Sequence, residues 1–144
     1  MTTPINNNVN ISMPTSNRNF CKFDGVKVLY YLSKKEEALP MLDSVLKSTD
    51  DEKTVCESLY IADRLIENGV KGVDKMYPTF ARFNDTKSPN IQTFLAGVYR
   101  KTKVPDAFGP LWKMLIQNSM NPPKEPLPFD PNEEIGGAIL DYLG

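Results

Sequence analysis

Leu39-Pro40-Met41-Leu42, Tyr77-Pro78-Thr79-Phe80 and Gly109-Pro110-Leu111-Trp112 each set a proline near the start of an apolar helical pattern. The prolines stand 38 and then 32 residues apart. A proline is tolerated in the first turn of a helix, where backbone N–H groups have no intrahelical partner. Recurrence at this spacing reads as stacked helix pairs, an architecture whose surfaces bind other macromolecules.

The neighbouring segments extend the helical reading. Asp24 can cap a helix over residues 25–33, with Val26, Leu29 and Tyr30 on one face. A second helix is expected over 35–48, with Leu39, Leu42, Val45 and Leu46 in helical register. Thr49-Asp50-Asp51-Glu52 has the form of a capping box, with Thr49 as cap, opening a helix over 51–68. That helix carries Val55, Leu59, Ala62, Leu65 and Ile66 and stops at Gly69. A fourth helix over 73–83 presents Val73, Met76, Tyr77, Phe80 and Phe83. Ser88-Pro89 opens a fifth, striped by Ile91, Phe94, Leu95 and Val98. Pro105 opens a sixth, with Phe108, Leu111, Trp112, Leu115 and Ile116 on one side. No segment alternates with a period of two, so the expected fold is all-α with no sheet.

Composition divides the chain. Residues 1–20 hold eleven Asn, Ser and Thr residues and cannot offset their ordering entropy by burial. Residues 121–131 contain five prolines and read as an extended linker. Asp130-Pro131-Asn132-Glu133 then reads as cap, first-position proline and third-position glutamate of a last helix. The expected organisation is a disordered tail over 1–22, a helical domain over 23–120, a proline-rich linker over 121–131 and an amphipathic helix over 132–144.

Residues 36–68 resemble a HEAT repeat. Leu39-Pro40 opens the first helix, Asp50-Asp51 occupies the turn, and Val55, Ala62 and Leu65 follow along the second helix. Residues 77–101 match less fully, because Phe80 and Phe83 stand where small aliphatics are expected and the following helix lacks the usual arginine. A third unit supplies only a first helix, from Pro110 to Ile116. The resemblance covers roughly residues 35–118. It implies a short right-handed stack of helical hairpins, HEAT- or armadillo-like, with flanking helices, and a scaffold or adaptor role rather than catalysis.

The chemistry of the side chains agrees with a non-enzymatic reading. There is no histidine, which removes the commonest general base and metal ligand, and with it Cys/His zinc sites and Ser-His or Cys-His nucleophile pairs. Cys21 and Cys56 are too few for a disulfide framework and read as reduced thiols of a cytoplasmic protein. The N-terminus lacks the basic start and apolar core of a secretory signal, and no apolar run is long enough to span a membrane. Ser44-Val45-Leu46-Lys47 has the Ser-x-x-Lys form of some acyl-transfer enzymes without the accompanying motifs. Gly69-Val70-Lys71-Gly72 has the form of a nucleic-acid-clamping loop, but a helix stop followed by a helix start explains both glycines. Asp50, Asp51 and Glu52 lack the ligand alternation of a calcium loop and suit a helix N-terminus. No metal, cofactor or catalytic residue is expected.

Charge is unevenly spread. From Arg64 to Lys103 eight bases face three acids, a balance of +5, and from Asn121 to Gly144 one base faces five acids, a balance of −4. Two binding elements follow. The last helix offers Ile135, Ala138, Ile139, Tyr142 and Leu143 as an apolar stripe that docks on its own body, a sister copy or a protein partner. The second element, for nucleic acid or a phospho-ligand, would use Arg82, Lys87, Arg100, Lys101 and Lys103, with Tyr99 as a stacking surface.

Overall fold

The computed structural model describes residues 23–124, 127 and 130–144. The tail expected over 1–22 and most of the proline-rich linker lie outside the described residues. Helix α1 spans Gly25–Lys34, α2 Ala38–Ser48, α3 Glu52–Glu67, α4 Tyr77–Phe80, α5 Pro89–Thr102, α6 Phe108–Met120 and α7 Pro131–Leu143. The fold is all-α, with no strand among the described residues.

The three prolines share one local structure. Short 3₁₀ turns over Lys35–Glu37, Val73–Met76 and Pro105–Ala107 run directly into α2, α4 and α6, and Pro40, Pro78 and Pro110 fall at the second or third residue of those helices. Each turn passes its hydrogen bond three residues back, as when the Tyr77 N–H donates to the Asp74 carbonyl. This geometry tolerates a residue with no N–H to give. Residues 73–83 are therefore not one helix: a second 3₁₀ turn, Ala81–Phe83, follows the four-residue α4.

Caps fix the other starts. Asp24 accepts from the N–H groups of Val26 and Lys27 at 3.0 and 3.3 Å. Ser88 accepts from Ile91 at 3.1 Å and Asp130 from Asn132 at 2.9 Å. At α3 the expectation is corrected: Asp51, not Thr49, is the cap, accepting from Thr54 N–H at 2.9 Å and its hydroxyl at 2.7 Å. Thr49 instead accepts from the N–H of Asp51 at 3.1 Å, and the Ser88 hydroxyl donates a hydrogen bond to Glu52, tying α3 to α5.

All nine residues from Ile91 to Tyr99 in α5 are buried. A helix apolar on every side belongs inside the core, and α5 lies between α3 and α7. It runs parallel to α3, since Glu52 meets Ser88 near one pair of ends and Asp63 meets Lys101 near the other. It also runs parallel to α7, while α6 is antiparallel to α7 through Asn118–Asn132 at one end and Phe108–Tyr142 at the other. Phe23 inserts between Tyr60 and Phe94, with ring centroids 5.3 and 5.7 Å away, and Lys27 pairs with Glu57 at 2.8 Å, fastening α1 to α3.

One apolar stripe faces opposite to expectation, and a second is rotated only in part. In α1 the core takes Val28 and Tyr31, leaving Val26, Leu29 and Tyr30 half exposed. In α6 the core takes Leu111 and Met114, with Phe108 and Leu115 partly buried against it as expected, and Trp112 and Ile116 are left exposed. Both helices carry apolar residues on more than one side, and Phe23 and α7 select which side is covered.

Ile135 in α7 is completely buried against this core. Ile135→Ala is expected to destabilise the fold by about 2–5 kcal/mol, measured by urea unfolding. A change within about 0.5 kcal/mol would place α7 outside the cooperative unit.

Candidate functional site

The six residues of the expected basic surface do not converge. The Arg82 guanidinium donates to the Leu46 carbonyl, lies 3.6 Å from Asp50 and covers the Phe83 ring. Tyr99 is fully buried. Its hydroxyl donates to Asn84 at 2.6 Å, its ring packs on Tyr77, and burial drives its phenol far above the usual range. It cannot stack on a base, which corrects that assignment. Arg100 Nε donates to Asp141 at 2.7 Å and Nη1 to Glu134 at 3.2 Å. Lys101 sits 2.7 Å from Asp63 and 2.5 Å from Glu67. Lys103 ends α5 in a left-handed conformation, φ +53°, with its N–H on the Tyr99 carbonyl at 2.8 Å. Lys87 and Lys103 remain exposed.

Arg100 and Lys101 are adjacent in sequence yet reach in opposite directions. Arg100 spans Glu134 and Asp141 on α7, and Lys101 spans Asp63 and Glu67 on α3. Together they fasten α5 to both flanking helices. The guanidinium crosses α7 at Gly137, where an added Cβ would lie 3.0 Å from its nitrogens, whereas a Cβ at Gly136 would meet nothing. Hydrogen bonding to Asp141, with the charge of Glu134, raises the Arg100 pKa. Burial lowers that of Lys101, but its two carboxylates more than offset this and the net shift is upward. Glu67 and Asp141 are held below the ordinary carboxylate range by Lys101 and Arg100 respectively. Asp63 is raised, because burial outweighs its bond to Lys101.

The helix expected to dock is seated on its own body, against α5 and α6. Ile135, Ala138 and Ile139 are buried, and the Tyr142 hydroxyl donates to the Val104 carbonyl at 2.6 Å. Leu143 is the exception, 68% exposed, because its position on α7 turns away from both neighbours. At the other end of α7 an amide chain runs from Gln92 through Asn118 to Asn132, with bonds of 2.8 and 3.0 Å. These amides line a groove of about 580 Å³ that Lys87 also borders.

With α7 seated, apolar residues stay exposed on α1, on the outer side of α7 and on α6. Trp112, Ile116 and Met120 are 40%, 51% and 74% exposed and fall at i, i+4 and i+8 on one edge of α6. Tryptophan of this kind is enriched among residues that carry binding energy. The sequence pattern includes Trp112 and Ile116 in an apolar stripe but gives no sign of which side α7 would cover. No helix among the described residues is long and apolar enough to cross a membrane. Comparison with protein-family models, with curated proteins and with solved structures found no match.

Two outcomes follow. Gly136→Ala should stabilise by about 0.5–1 kcal/mol through helix propensity, while Gly137→Ala should gain less or lose, because its Cβ displaces Arg100. Equal gains in chemical unfolding would contradict the crossing. The second concerns acid. Glu67 and Asp141, held low, contribute stability that is present above their unfolded values near pH 4 and is lost as pH falls through their folded values. Asp63, held high, contributes fully below its unfolded value, and that contribution is lost as pH rises through its folded value. Asp141→Asn should therefore flatten the fall of melting temperature below about pH 4, and Asp63→Asn should not. An Asp141→Asn profile parallel to that of the parent protein would contradict the assignment.

Proposed function

We propose that the protein is a non-enzymatic protein-interaction module, a short stack of helical hairpins of HEAT-like plan, with α7 as its closing helix. Support for the plan comes from three like starts, each a 3₁₀ turn leading into a helix with an early proline, and from the parallel course of α3, α5 and α7. In this reading α7 is the second helix of a third pair. Cytoplasmic localisation is part of the same proposal and follows from the reduced-thiol reading of the cysteines.

The single observation that carries the function is the edge of α6, where Trp112, Ile116 and Met120 stand uncovered by the described residues. Contiguous exposed apolar residues on a folded domain mark contact sites for macromolecules. The nucleic-acid alternative loses support, since Tyr99 is buried and Arg82, Arg100 and Lys101 are engaged within the fold.

The test is photo-cross-linking in the cells that make the protein, with the reactive side chain at position 112 or 116 and a control at exposed Lys53. Defined protein adducts from 112 and 116, lost on Met120→Glu, are expected. Adducts no stronger than those from position 53, or adducts to nucleic acid, would contradict the reading.

A further inference from the structure

Two grooves adjoin around Gly72 and Lys75. One, of about 440 Å³, lies between α2 and α4, with Leu39, Met76 and Pro78 in its floor. The other, of about 500 Å³, lies beside the turn from α3 to α4, with Ile66 and Val70 in its floor. They share Gly72 and Lys75. Gly69 and Gly72, at φ +85° and +100°, turn the chain sharply between them, and a Cβ at Gly72 would touch Leu39 at 3.4 Å.

The rim is basic. Lys71 and Lys75 are exposed and make no ion pair among the described residues. Lys47 and Arg82 border the first groove and Lys101 the second, each with an acid of its own, and one acid lines each groove, Asp43 the first and Asp74 the second. An apolar floor under unpaired cations fits a ligand that brings both carboxylates and aliphatic side chains. Neither groove is lined by an aromatic ring on which a base could stack, and single-stranded nucleic acid binding draws on such rings.

We propose that the paired grooves around Gly72 and Lys75 bind an acidic peptide segment that carries apolar side chains. The apolar side chains enter the floors and the carboxylates meet Lys71 and Lys75. The proposal rests on the reading of the protein as an interaction module but uses a different surface from the α6 edge, so each can fail alone.

The probe is a fluorescein-labelled dodecapeptide of repeating Glu-Glu-Leu-Leu, titrated against the full chain and followed by anisotropy, with labelled oligothymidylate in parallel. The peptide is expected to bind, to weaken as salt rises, and to lose about tenfold or more in affinity with Lys71→Glu and Lys75→Glu combined. Trp112→Glu should leave its affinity unchanged. Thermal melting of the lysine variant checks its fold, and Lys71→Gln with Lys75→Gln serves if the charge reversal fails to fold. No peptide binding, binding indifferent to both lysine variants, or binding lost in Trp112→Glu would overturn the proposal. So would oligothymidylate binding as tight as that of the peptide and dependent on the same lysines.

Discussion

The structure depends on a helix that has no side left for water. Nine consecutive buried residues in α5 require cover, and α3 and α7 supply most of it. Fully burying a side chain such as Leu95, Val98 or Ile91 contributes about 1.5–3 kcal/mol. That burial can be realised in full only with the C-terminal helix packed against α5. The acidic last helix is thus a structural wall, held by Ile135, Ala138 and Ile139, before it is anything else.

The charges at the end of α5 act differently. Partly exposed ion pairs contribute about 0–1 kcal/mol each, so Arg100 and Lys101 add little to stability beside the apolar burial. Their effect is on orientation. A guanidinium fixed to two acids seven residues apart on α7, crossing at a glycine, accepts one rotation of that helix and one depth of approach. Lys101 does the same for α3. Much of the basic patch in the sequence thereby becomes internal fastening, while Lys71 and Lys75 stay open at the rim of the grooves near Gly72.

Signals that depend on a few neighbouring residues were legible. Asp24, Ser88-Pro89 and Asp130-Pro131 mark their helices because capping is a contact over two or three residues. The proline recurrence marked three helix starts for the same reason. Thr49 and Asp51 were harder to separate, since both are good caps and two residues apart, and only the observed bonds assign them. The choice of buried stripe in α1 and α6 was not legible. Val26, Leu29 and Tyr30 keep helical spacing as well as Val28 and Tyr31 do, and Phe23, placed between Tyr60 and Phe94, decides between them. Long-range pairing hid the rest: Arg100 finds its acids 34 and 41 residues away, a separation at which sequence spacing carries no signal.

The most direct measurement compares thermal unfolding and light scattering of the full chain with those of a chain ending at Asn121. If α7 closes the cover over α5, truncation lowers the melting temperature steeply and exposes the apolar faces of α5 and α6, with aggregation or dye binding as the visible result. If the truncated chain melts as the full chain does and stays dispersed, α7 is no part of the core, and the account given for α5 is wrong.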